Sequence, residues 1–253
     1  MSNYKTIRSK AYNEKKREKG SKTIYSIFCR SFSTYLTFIL YKLKVRPNTI
    51  SILSIFSGLI GIGYIYNGIF TFGSIFVALS KYLDCVDGEL ARVSGIFSKK
   101  ANWLEPINSD IQYLFVLPSL SVALFNRGLI NIDLVFLSFI ACGFYVLIRK
   151  YWNAHVPQNN NIPFVKKILY CQFKPSIKLR SKSKLGAYLF FLKYNILTQN
   201  GVLYPVLIFI AFWDINFLVY YLLFFIYTYT SFATLTIIGM LLLPLDRYKS
   251  KSI

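Results

Sequence analysis

Residues 83–110 read LDCVDGELARVSGIFSKKANWLEPINSD and contain Asp84, Asp87, Glu89, Glu105 and Asp110, half of the ten acidic residues in a chain of 253. Long apolar and aromatic runs flank this stretch on both sides. Carboxylates beside runs of membrane length are costly to bury, so they carry partners and commonly a function.

The rest of the composition agrees with a membrane setting. The chain is 55% hydrophobic and 18% aromatic, with only 16% charged residues. That is too apolar for a soluble domain of this size and fits a polytopic membrane protein. The formal net charge of +20 raises nucleic acid as a partner. The basic residues lie outside the apolar runs, however, where they read as membrane flanks facing anionic lipid. No basic stripe alternates with base-stacking aromatics in a recognisable module, so nucleic acid is excluded as a partner. Cys29, Cys85, Cys142 and Cys171 form no CxxC pair and suggest neither a disulfide framework nor a zinc site. The first 22 residues are polar and basic, and Arg30 interrupts the apolar stretch after them, so no cleavable signal peptide is evident.

The pattern predicts an all-α integral membrane protein with six transmembrane helices and an N-terminal interfacial amphipathic helix. Residues 1–46 form a basic arm and that juxtamembrane helix, 47–246 the six-span domain, and 247–253 a basic tail. Residues 1–22 read as a solvated tail or an arm on an anionic leaflet. Residues 23–46 mix apolar positions with Arg30, Lys42, Lys44 and Arg46, as an interfacial helix does. Pro47-Asn48-Thr49 then opens a new helix. Spans are expected at about 50–66, 69–83, 103–124, 134–148, 202–213 and 217–243. The second enters the acidic stretch without a breaker. Continued to Val93 it would be about 37 Å long, so its last two turns emerge from the hydrocarbon core. A polar, basic connector spans 149–200.

Six spans place both termini on one side. That side also receives the 92–100 turn, the connector and nearly all Lys and Arg, whereas the other side has only Arg127. The positive-inside rule puts the basic side, the termini and the acidic stretch in the cytoplasm. The expected location is a bacterial or archaeal-type plasma membrane. Lys150, Lys166 and Lys167 read as positive-inside flanks.

Asp84 and Asp87, three apart, share a helix face. Gly88 removes a side chain beside Asp87, and Ala91 is again small, so a ligand or helix can approach closely. Arg92 supplies a planar donor fork suited to phosphate. On the next helix Glu105 and Ser109 share a face. Two acids opposite a third make an oxygen-rich site of the kind Mg2+ or Mn2+ prefers, and a divalent ion beside an arginine points to a phosphate-bearing substrate.

At these residues the chain resembles the CDP-alcohol phosphotransferases, whose signature is D-x2-D-G-x2-A-R-x8-G-x3-D-x3-D. Asp84, Asp87, Gly88, Ala91, Arg92 and the eight-residue spacer match the first half. RPNTIS at 46–51 is similar to the proline-asparagine entry to the family's first span. The second half departs: Ala101 replaces glycine, Glu105 the third aspartate and Ser109 the fourth. In that respect the chain is similar to a divergent branch in which an asparagine, here Asn108, follows three residues after the third acid.

The resemblance implies transfer of a phospho-alcohol group from a CDP-alcohol to an acceptor hydroxyl, with release of CMP. It further implies two Mg2+ or Mn2+ ions held by Asp84, Asp87 and Glu105. Asp84, Asp87, Gly88, Ala91 and Arg92 would bind the CDP moiety. The partners implied are a CDP-alcohol donor, an alcohol or lipid acceptor, membrane lipids and a second copy of the chain as a homodimer. The fourth aspartate is thought to be the family's base, and Ser109 cannot fill that role unaided. Asp110 is the candidate catalytic replacement beside Ser109, if the helix start is irregular after Pro106. Its alternative role is a local cap or ion pair, and His155 is the other candidate base. Two competing readings remain: a catalytically inactive homologue acting as a binding subunit, and a cation-coupled transporter.

Overall fold

The computed structural model describes residues 4–11, 24–96, 101–155 and 214–242. Seven helices make up their secondary structure, and no strand occurs among the described residues. In chain order they are α1 (Tyr4–Ala11), α2 (Ile24–Lys42), α3 (Pro47–Tyr66), α4 (Phe70–Ser94), α5 (Ala101–Asn126), α6 (Ile132–His155) and α7 (Ile215–Leu242). The expected span at 202–213 and most of the 149–200 connector lie outside the described residues.

Local chemistry sets the helix ends. α3 begins on Pro47, whose missing N–H falls where a helix has no partner for it, after an extended Arg46. It ends at Asn67-Gly68, where Gly68 takes φ +76°. α4 runs unbroken through the acidic stretch and stops at Gly95, a left-handed C-cap with φ +70°. α5 is continuous through Pro106 and Pro118, so no irregular start follows Pro106. α6 outlasts its apolar run: Arg149 and Lys150 mark a polarity boundary, but both favour helix, so the helix continues to His155.

α3 is packed inside out relative to a soluble helix. Its buried residues include Ser51, Ser54, Ser57, Gly58 and Gly61, while Ile52, Leu53, Phe56, Leu59 and Ile60 are exposed. Lipid tails are as apolar as leucine, so small residues and hydroxyls join helices and bulky apolar ones face outward. Ser54 Oγ donates to the Ser80 carbonyl (2.7 Å) and Ser57 Oγ to the Phe76 carbonyl (2.8 Å), tying α3 to α4. On length and composition, α3 is the one described helix that passes as a membrane span. α4 carries Lys81, Asp84, Asp87, Glu89 and Arg92 from its middle onward, which shortens its apolar part.

A core of α5, α6 and α7 residues, among them Val116, Leu120, Leu124, Val135, Leu222 and Phe225, completes the bundle. At the end away from the acids, Arg127 Nη2 donates to the Gly68 carbonyl (2.7 Å) and its guanidinium lies over Phe70. The turns after α3 and α5 are pinned together there. Part of the basic arm differs from a solvated tail: α1 buries Ile7 and Ala11 against Val93, Phe38 and Tyr41. Tyr4, Ile7 and Ala11 recur at helical spacing, which forms an apolar stripe inside an otherwise polar segment.

Candidate functional site

The first turns of α3 and α5, the second half of α4, and α2 meet at the acidic end of the bundle. Asp84 and Asp87 fall on one face of α4, as their spacing predicts. Asp84 Oδ2 pairs with Lys81 Nζ at 2.5 Å. Asp87 Oδ2 accepts a hydrogen bond from Ser51 Oγ on α3 at 2.5 Å. A Cβ added at Gly88 would meet only Arg92 Nη1, at 3.4 Å, so the backbone beside Asp87 is open to approach. Arg92 Nε donates to the Ala11 carbonyl at the end of α1 (2.9 Å).

Beneath the aspartates lies a buried polar layer. Asn108 Nδ2 donates to Ser54 Oγ (2.7 Å), and Gln112 Nε2 donates to Ser80 Oγ (2.7 Å) and to Asn108 Oδ1 (3.1 Å). Directional bonds of this kind fix α5 against α3 and α4, and buried networks specify one packing when every member is satisfied. Gln112 had no reading from sequence; its signal is the i, i+4 spacing from Asn108.

Glu89, counted among the clustered acids, does not join the two aspartates. It is 3% exposed and accepts hydroxyl bonds from Ser33 (2.7 Å) and Thr37 (3.0 Å) of α2. Asp110, on the continuous α5, pairs with Lys150 of α6 at 2.9 Å. Lys150 is thus more than a flanking charge: it ties the two helices together, although 63% of its side chain is exposed. Glu105 lies in the first turns of α5 and His155 ends α6; the side chains of both fall outside the described residues, as does Ala101's.

Among the described residues no three acidic, histidine or cysteine side chains converge as a ready-made metal cluster. The described pair, Asp84 and Asp87, supplies oxygen donors of the hard type that Mg2+ and Mn2+ take. By donor chemistry these two carboxylates fit such an ion as part of a coordination shell.

The profile of the CDP-alcohol phosphatidyltransferase family matches residues 44–245, most of the chain. This chain belongs to that family. No curated protein matches it. CDP-alcohol phosphatidyltransferases are membrane proteins that transfer a phospho-alcohol from a CDP-alcohol donor to an alcohol acceptor in phospholipid biosynthesis, generally with a divalent metal. The matched stretch contains RPNTIS and the whole altered signature. It begins after α2, so α1 and α2 lie ahead of it.

Proposed function

We propose that this protein is a metal-dependent CDP-alcohol phosphotransferase whose site is the acidic end of the bundle. The reading rests on one contact above all: Ser51 of RPNTIS donates to Asp87 of DxxDGxxAR. Two family motifs separated by 36 residues meet at one carboxylate.

In this reading Asp84, Asp87 and Glu105 hold the ions. When bound, the ions neutralise the pyrophosphate charge and draw electrons from the phosphorus under attack. Ser51 engages one oxygen of Asp87 and so orients the other. Gly88 and Ala91 leave room for the CDP moiety, and Arg92 offers its guanidinium to phosphate. Ser109 contacts the acceptor alcohol; Asp110, turned about 100° from Ser109 on the continuous α5 and paired with Lys150, has to release Lys150 to take the proton as the hydroxyl attacks and CMP leaves. The site faces the cytoplasm, since the basic flanks collect at the acidic end. Six spans, an interfacial α2 and a homodimer complete the proposed assembly.

Purified protein in detergent, given candidate CDP-alcohols and acceptors, is expected to release CMP with Mn2+ or Mg2+. EDTA should abolish the release and added Mn2+ restore it. CMP release that is indifferent to chelation would overturn the metal assignment. The Asp110–Lys150 pair favours a second reading, a binding subunit without a base; it predicts CDP binding with no turnover for any pair. Within the enzyme reading, a pH–rate profile of Asp110→Asn assigns the base. Loss of the acid limb is expected, and an unchanged profile would make Asp110 a tether between α5 and α6.

A further inference from the structure

We propose that Glu89 is a positioning residue, through which the N-terminal helix α2 sets the roll of α4 and so the direction of its metal-facing carboxylates. The inference rests on the metal-site reading above.

Glu89 follows Asp87 by two residues, which places it about 160° around the helix from it. α4 is therefore gripped on two opposed faces at one level. Ser51 of α3 bonds Asp87 on one side, and Ser33 and Thr37 of α2 bond the two oxygens of Glu89 on the other. A helix held on one face can roll about that contact; bonds on two opposed faces prevent it.

The surrounding packing does not do this alone. Val86 and Leu90 of α4 are fully buried with Ile50, against Leu36, Leu40 and Tyr41. Apolar burial is non-directional and tolerates small rotations, whereas hydrogen bonds weaken steeply off axis. Burying a carboxyl group is also costly, and well-packed apolar side chains commonly replace such groups at no loss of stability. Retaining the acid here makes sense as orientation rather than as stability. The grip comes from outside the matched family stretch, which starts at residue 44. Arg92 is touched from the same quarter, by the Ala11 carbonyl of α1. The segment before the family domain thus holds α4 at two positions interleaved with the signature.

The test compares Mn2+ affinity, read from the EPR signal of free Mn2+, with thermal unfolding of the full chain in detergent. The triple variant Ser33→Ala/Thr37→Val/Glu89→Leu removes the two hydroxyl donors and their carboxylate acceptor together, which costs less than leaving either side unpaired. It is expected to unfold near the wild-type temperature while its Mn2+ dissociation constant rises about tenfold, because ligand misplacement of about 1 Å is costly. Wild-type affinity in that variant would make Glu89 purely structural and overturn the proposal. Should the triple variant fail to fold, Thr37→Val decides alone: it loses one bond and should bind Mn2+ about threefold more weakly, and unchanged affinity overturns the proposal. A wild type that binds no Mn2+ would instead sink the metal-site reading, and this inference with it.

Discussion

Replacing Asp87 by asparagine is expected to reduce CMP release about 10³-fold, equivalent to about 4 kcal/mol of transition-state stabilisation, while the protein stays folded. Asparagine keeps the shape of aspartate and can still accept the Ser51 hydroxyl, so the α3–α4 contact survives. What goes is the negative charge that holds a cation beside the pyrophosphate. Ser51→Ala serves as the graded control. It removes the partner that orients Asp87 but leaves the charge, and such supporting groups are worth about 10–100-fold in metal affinity or activity. The two variants should therefore rank Asp87→Asn below Ser51→Ala below wild type in kcat/KM, with unfolding temperatures close together. Full activity in Asp87→Asn would remove the aspartate from the site and with it the reading of the acidic end as a phosphotransferase centre.

The parts of the fold legible in sequence were those encoded by local chemistry. Pro47 marks a helix start because a fixed backbone angle acts at a single position, and Gly68 and Gly95 end α3 and α4 by equally local left-handed angles. The absence of a breaker between Leu83 and Val93 was enough to carry α4 through the acids. Pro106 was less informative, since neighbouring helices can absorb the hydrogen bond that proline removes, and α5 runs straight through it. α6 runs on past the expected span end at 148 because Arg149 and Lys150 report where lipid stops, not where helix stops.

The site divides the same way. Asp84 and Asp87 share a face by spacing alone, and their motif is a local pattern of residue types. Glu89 looked like a fellow member of the cluster because composition counts charges without regard to direction. Its partners Ser33 and Thr37 lie more than fifty residues earlier, and nothing local to either segment announces the pairing. The same holds for Arg92 and Ala11. The docking of α1 left a trace in the spacing of Tyr4, Ile7 and Ala11, but eight basic residues in the first 22 obscured it.

Gly73→Ala is expected to destabilise the bundle by about 1–3 kcal/mol, the usual cost of overpacking a closed interface. A Cβ at residue 73 would lie 2.5 Å from Ile65 Cγ1 and 2.9 Å from both the Gly61 carbonyl oxygen and the Ile65 nitrogen. The isoleucine can rotate, but two of the three neighbours are backbone, so relief requires α3 and α4 to separate. Gly61 meets the reciprocal obstruction, 2.8 Å from the Gly73 carbonyl oxygen and the Val77 nitrogen. Separation would lengthen the serine bonds from Ser54 and Ser57 and, one turn beyond them, the Ser51–Asp87 contact. Activity should therefore fall along with stability. Gly63 supplies the control, since nothing lies within 4 Å of its added Cβ. There alanine gains about 0.5–1 kcal/mol from helix propensity. The same gain operates at Gly73 and is outweighed by the clash. Because Gly61 and Gly73 face each other, the double alanine variant should cost less than the sum of the single ones, as the first separation makes room for the second methyl. Thermal unfolding in detergent measures all four. If Gly73→Ala unfolds at or above the Gly63→Ala temperature, the close crossing of α3 and α4 is not what holds the signature helix in place.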